Sequence, residues 1–380
     1  MKNIETYYEK ALELYKTLHE HAEVGFDLPE TVKIVKKELA DLGIKYTEKY
    51  GKGSVVAEIG SDERIIALRA DMDALPIEET SGVTFASKNK GMMHACGHDS
   101  HTAILLAVAR YLKENENLLK VKVRLIFQPS EECAISGAKM LVDNGVMEGV
   151  SQIICTHCEN EINFGEIGVC AGDYMAACVP LKIIFYGKSS HATLPKHGID
   201  AIAMANDAYI ELKGFVKENF EKDDYIWSVG RFAGGTAHNV ICDKCEMDIS
   251  FRFFNVEHSK IIEKGVKKIC EGIAERFGGQ VKVMWDMSTG PVINDSEVID
   301  KIRNIANKNL IKINEVKKRM SSEDFGWYLQ KTKGAIFRYG TKNDESGCNT
   351  VAHTSNFKIY PQGMKTAITI FCDYVLSIGE

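Results

Sequence analysis

Residues 65–73 read Ile65-Ile66-Ala67-Leu68-Arg69-Ala70-Asp71-Met72-Asp73, a short apolar run with β-branched residues at its start and two carboxylates at its end. A run of this kind predicts a strand, and another precedes it, Val55-Val56-Ala57-Glu58-Ile59, closed by Gly60. Upstream, Leu12, Leu14, Tyr15 and Leu18 lay one apolar stripe along a helix, and Pro29 opens a second through Val32, Val35 and Leu39 to Gly43. Downstream the pattern predicts a helix over 102–112, a strand over 121–127, a helix over 137–142 and a strand over 152–156. Strands alternating with helices predict an α/β layer around a central sheet.

After Pro180 a different rhythm begins. Strands are predicted over 181–186, 225–231, 240–254 and 280–287, with helices over 200–216 and 260–277. Strand-helix-strand-strand-helix-strand is the split βαβ arrangement of a ferredoxin-like domain. Residues 180–290 therefore read as an insertion, with Gly290-Pro291 returning the chain to a discontinuous first domain, 1–179 and 291–380. A length of 380 residues agrees with two domains. The net charge of −6 is spread without a basic cluster, so neither nucleic acid nor an anionic membrane is suggested as a partner. No apolar run approaches the roughly 20 residues of a membrane span, and the first residues lack a signal-peptide core. Eleven cysteines, an odd number scattered over a long chain, suit a reducing compartment, so a cytoplasmic location is expected.

The chemistry is concentrated in two stretches, His94-Ala95-Cys96-Gly97-His98-Asp99 and Gln128-Pro129-Ser130-Glu131-Glu132. Thiol, imidazole and carboxylate donors together suit a divalent transition metal better than calcium or magnesium. Cys96 and His98 are two apart, so in an extended or turn segment both side chains can point the same way. Asp71, Asp73, Glu131, Glu132 and His157 all lie where strands end, which in open α/β sheets is where sites form. Adjacent glutamates suggest a division of labour: one carboxylate holds a metal while the other serves as base toward a metal-activated water.

These motifs, with residues 18–26, 68–76, 93–101, 127–132, 187–199, 234–241, 322–325 and 353–357, resemble those of the dinuclear-metal amidohydrolases and peptidases of the aminoacylase and glutamate-carboxypeptidase type. They are most similar to the branch of hippurate hydrolases, indole-acetyl amino acid hydrolases and N-acetyldiaminopimelate deacetylases. The resemblance implies a zinc-peptidase-like catalytic domain with a central mixed sheet, and an inserted ferredoxin-like domain acting as lid and dimerisation unit. It implies two divalent ions, zinc, manganese or cobalt, held by Cys96, His98, Glu132, His157 and His353, with Cys96 bridging. Glu131 would be the general base and Asp71 the carboxylate that orients a ligand imidazole. Asp73 is open between a structural role and a functional one. His191 would polarise the scissile carbonyl, and Asn239 and Arg252 would contact a substrate carboxylate.

The implied reaction is hydrolysis of the amide of an N-acyl amino acid or a related small N-blocked substrate by a homodimeric enzyme. A dipeptidase or carboxypeptidase on the same scaffold, and a non-catalytic amino-acid-binding relative, stay open. Several positions depart from the family pattern, among them Cys158 after the fourth ligand, Ser189-Ser190 before His191, and Phe251. Other signals fail on spacing. His19-Glu20-His21 has Glu23 where the zincin motif needs its second histidine, and neither a P-loop nor a G-x-S-x-G elbow is present. A structural zinc site joining Cys155 and Cys158 to Cys242 and Cys245 would have to span both proposed domains.

Overall fold

The computed structural model describes residues 4–221 and 224–378. The protein forms two compact units, one of Met1–Tyr174, Ile293–Lys318 and Asp324–Glu380, the other of Met175–Val292 and Arg319–Glu323. In the first, eight strands form one mixed sheet in the order Tyr46–Thr47, Val55–Ile59, Lys122–Gln128, Ile65–Asp71, Val150–Asn163, Lys333–Lys342, Glu166–Val169, Lys312–Glu315. Strand Ile65–Asp71 runs parallel to both its neighbours, and Lys333–Lys342 runs parallel to Val150–Asn163. Val55–Ile59 is antiparallel to Lys122–Gln128. All seven residues of Ile65–Asp71 are buried, the pattern of a strand covered on both faces.

Helix His98–Glu114 contributes to that cover, with every residue from His98 to Ala109 buried. Its apolar residues share one core with Leu14 and Leu18 of helix Ile4–Glu20 and with Ile368 and Phe371 of helix Met364–Leu376. The helix starts four residues earlier than its apolar period suggests. His98, Asp99, Ser100 and His101 interrupt that period yet point inward, because each has a buried partner or function.

Three other boundaries differ from expectation for local reasons. Strand Val150–Asn163 is far longer than 152–156, since its polar half still pairs with Lys333–Lys342. The strand expected from 240 begins at Lys244, because Ile241 N–H and the Cys242 carbonyl bond to Ser190 and Ala201 in a loop. Strand Lys333–Lys342, near the middle of the sheet, comes from a C-terminal stretch for which no element was anticipated.

The second unit is a four-stranded antiparallel sheet in the order Gln280–Met284, Ala177–Tyr186, Lys244–Phe253, Tyr225–Gly234. Helices Ala201–Asn219 and Val256–Phe277 pack Met204, Leu212, Ile262 and Val266 against Ile183, Phe185, Met247 and Phe251. Asp200 and Asn255 cap these helices, their side chains accepting from Ile202, Ala203 and His258 N–H groups. The short segment Arg319–Glu323 joins this unit through the Ser321 carbonyl, which accepts from Ala176 N–H at 3.0 Å, and the Met320 carbonyl, which accepts from Arg252 at 2.9 Å.

Candidate metal centre

From strand Ile65–Asp71 the chain passes to Lys122–Gln128 on one side and from there crosses to Val150–Asn163 on the other, so successive connections run in opposite directions. Parallel strands arranged this way open a crevice at their carboxyl ends. Asp71, Asp73 and the Glu131-Glu132 loop lie there, the loop before helix His98–Glu114 adds Cys96, and His157 comes from within strand Val150–Asn163 and not from a strand end as expected. Gly97, between the two donors, has φ +81°, and a Cβ on it would stand 2.5 Å from Cys158 Sγ. Only glycine meets both conditions without strain.

All five expected ligands converge. Cys96, His98 and His157 form one group and Cys96, Glu132 and His353 another, with donor atoms within 4.8 Å of one another in each. Cys96 belongs to both. His157 Nε2 lies 3.3 Å from Cys96 Sγ, while its Nδ1–H donates to the Cys158 carbonyl at 2.7 Å. His98 Nδ1–H donates to the Asp73 carbonyl at 2.8 Å. Both rings thus present Nε2 to the site, each oriented by a backbone carbonyl. His353 sits in left-handed backbone, φ +65°, its N–H bonded to the Ala95 carbonyl at 2.8 Å, and its Nε2 is 3.1 Å from Glu132 Oε1.

His101 also lies among these groups, but both its nitrogens are engaged. Nδ1–H donates to Asp71 Oδ1 at 2.6 Å, and Nε2 accepts from Cys158 N–H at 3.0 Å. Asp71 therefore holds a ring outside the expected ligand set, where the sequence suggested that it would orient a ligand. Its other oxygen takes Arg69 Nη1 at 2.6 Å. The buried Arg69 continues to Gln128 and Asp324, and Asp324 also accepts from Ser136 Oγ at 2.7 Å.

Asp73 is the anchor of the glutamate pair. Its two oxygens accept from Glu131 N–H at 2.9 Å and Glu132 N–H at 3.1 Å. Ser130, immediately before, adopts φ +56°, a strained conformation for serine of the kind that gathers at functional sites. Glu131 Oε1 accepts from Asp324 N–H at 3.4 Å.

The donor set fits a pair of divalent cations. His98 Nε2 is buried without a hydrogen-bond partner among the described residues, a cost of about 1–3 kcal/mol that a cation would remove. Burial opposes a charge on His98, yet Asp71, Asp73 and Glu132 overcome it and raise its pKa to about 10. Burial, then the Glu132 carboxylate, pushes the Cys96 thiol well above its usual range. A site this rich in negative charge holds protons until a metal displaces them.

In the second unit, His191 and Asn239 are exposed neighbours: Ala192 N–H donates to the Asn239 carbonyl at 3.0 Å, and His191 bridges to Val240. His191 Nδ1 lies 2.8 Å from Thr193 Oγ1 and accepts from Thr193 N–H at 3.3 Å, which leaves Nε2 to carry the proton. Arg252 Nη1 donates to the Met320 carbonyl at 2.9 Å and Ser322 Oγ at 3.0 Å.

Comparison with known proteins agrees with this geometry. Residues 67–377 match the model of peptidase family M20/M25/M40. An N-acetyl-L-cysteine deacetylase of Bacillus subtilis is 35% identical, over 90% of this protein and 83% of its own length. Thermostable carboxypeptidase 2 of Saccharolobus solfataricus is 33% identical, over 91% of this protein and 89% of its own length. A crystal structure described as a dinuclear metal binding peptidase from the M20 family, from Bacillus subtilis, superposes with a TM-score of 0.84 at 31% identity, covering 98% of both proteins.

Proposed function

The chain belongs to peptidase family M20/M25/M40, and from that premise we propose that it is a metal-dependent amidohydrolase that cleaves an N-acyl amino acid to a carboxylate and a free amino acid. The observation that carries this is the pair of donor groups sharing Cys96, with Glu131 fixed beside Glu132 by the Asp73 carboxylate. Cys96, His98, Glu132, His157 and His353 would hold two divalent ions, zinc, manganese or cobalt, Cys96 being the donor common to both groups. Bound there, the ions would polarise the substrate carbonyl and lower the pKa of water.

Glu131 is the general base. It takes one proton from the attacking water and returns it to the leaving nitrogen, work that typically contributes roughly 10²–10⁴-fold in rate. Asp73 holds the backbone of this base and of its ligand neighbour in one register. His191, its Nε2–H free to donate, stabilises the developing oxyanion, a role that could supply roughly 3 kcal/mol. Asn239 and Arg252 recognise the substrate carboxylate.

The inserted unit acts as lid and dimerisation element. Its strand Tyr225–Gly234 stands at the edge of the sheet among the described residues and exposes Phe232, whose ring centroid is 6.5 Å from that of the exposed Tyr209 on helix Ala201–Asn219. A second copy would cover such an edge. All eleven cysteines are free thiols, as a cytoplasmic location would keep them, and no helix among the described residues is long and apolar enough to cross a membrane.

The test is amine release from a panel of acetyl, benzoyl and indole-acetyl amino acids by metal-replenished protein. The expected result is turnover that Glu131→Gln lowers by at least roughly a hundredfold while both ions stay bound. Full turnover by that variant would remove Glu131 from the role. The carboxypeptidase relative makes peptide cleavage the second reading, and faster release from unblocked dipeptides than from any acyl amino acid would favour it.

A further inference from the structure

We infer that His101 is a positioning residue, which fixes the ligand His157 through the backbone of Cys158. The inference rests on the two-ion proposal. His101 is buried and joins two parts of the site that are distant in sequence. On one side it is fixed at 2.6 Å by Asp71, whose carboxylate takes Arg69 Nη1 and whose backbone carbonyl accepts from Thr102 Oγ1 at 2.8 Å. On the other, its Nε2 accepts from Cys158 N–H at 3.0 Å.

The same residue Cys158 supplies the carbonyl that receives His157 Nδ1–H at 2.7 Å. Cys158 Sγ also donates to the Cys96 carbonyl at 3.2 Å. The groups that set the direction of the His157 ring are thus pinned from behind by His101, whose ring centroid is 4.7 Å from that of His157. Because both His101 nitrogens are engaged, the ring serves as a bracket and not as a ligand. Without it, Cys158 N–H loses its acceptor, and the backbone that aims His157 Nε2 at Cys96 is held on one side only, by its pairing with Lys333–Lys342. The ion held by Cys96, His98 and His157 should weaken, and the ion held by Cys96, Glu132 and His353 should not. Losses of roughly 10–100-fold are usual when such outer partners are removed.

The experiment titrates Zn²⁺ alone into the metal-stripped full-length protein against a chelating indicator. The unmodified protein should take up two ions. His101→Asn, which keeps a donor for Asp71 but cannot reach Cys158, should bind one of them at least roughly tenfold more weakly and the other within about threefold. His101→Gln, with an acceptor at the reach of Nε2, should recover most of the loss. Equal weakening of both ions, no weakening of either, or no recovery with glutamine would overturn the role of His101. Fewer than two ions on the unmodified protein would instead overturn the two-ion site.

A second measurement needs no variant. In ¹⁵N-histidine NMR spectra of the unmodified protein, His101 should carry its proton on Nδ1 with and without Zn²⁺, while the Nε2 signal of His157 shifts on Zn²⁺ addition. A metal-dependent shift of His101 as large as that of His157 would make it a ligand and refute the assignment.

Discussion

Asp73 illustrates at the scale of one residue how the site is organised: its carboxylate holds the backbone of Glu131 and Glu132, and its carbonyl orients His98. None of this was legible in the sequence, where Asp73 was open between two roles. Cys96, His98, Glu132 and His157 stood out as candidates because thiol, imidazole and carboxylate are chemically distinctive in combination, whereas His353 entered only through the family resemblance. Hydrogen-bond roles such as those of Asp73 and His101 depend on which backbone groups the fold delivers.

His19 makes the same point. It fails as the start of a zincin motif, yet it is buried between Asp99 at 2.6 Å and Glu79 at 3.1 Å. Burial disfavours its charge, but these two carboxylates prevail and raise its pKa from 6.5 to about 9. Burial likewise opposes ionisation of Glu79, but hydrogen bonds from His19, Ser81 and Ser87 lower it from 4.5 to about 2. The raised His19 stabilises the fold fully below pH 6.5 and less as pH climbs through 9, and the lowered Glu79 does so above pH 4.5 and less as pH falls toward 2. Their common contribution is therefore complete between about pH 4.5 and 6.5. Urea denaturation of the metal-free protein should show about 2–3 kcal/mol of stability lost between about pH 6.5 and 9.5 that His19→Gln does not lose. Parallel pH curves for the two proteins would contradict the assignment.

At the scale of elements, the apolar strands of the central sheet and the order of the inserted unit were readable because period and turn residues mark them locally. Two kinds of element were not. Strand Val150–Asn163 continues through polar residues on the strength of its pairing alone, and helix His98–Glu114 begins in residues whose polarity serves the site. Gly97 is the point where loop and helix must meet. Gly97→Ala should destabilise the protein by about 1–3 kcal/mol from its left-handed backbone, plus the contact with Cys158 Sγ. Adding Cys158→Ala should return only the contact part. Complete rescue in denaturation midpoints by the second change would show that the backbone conformation costs nothing.

For the whole molecule, family membership and the donor geometry agree on a metal-dependent hydrolase, and the inserted unit carries the proposed contact between copies. If the edge strand Tyr225–Gly234 meets a second copy, light scattering should give a dimer mass, and Phe232→Asp should give a monomer with both Zn²⁺ ions still bound. A monomer in the unmodified protein would remove that role from the unit. The central claim, that five side chains hold two catalytic ions, is tested most directly by metal content and turnover measured together. Chelation should abolish release of amine from an N-acyl amino acid, and activity should return in proportion to readded metal, reaching its full value at two ions per molecule. Undiminished turnover by the chelated protein, or full activity with no ion bound, would contradict it.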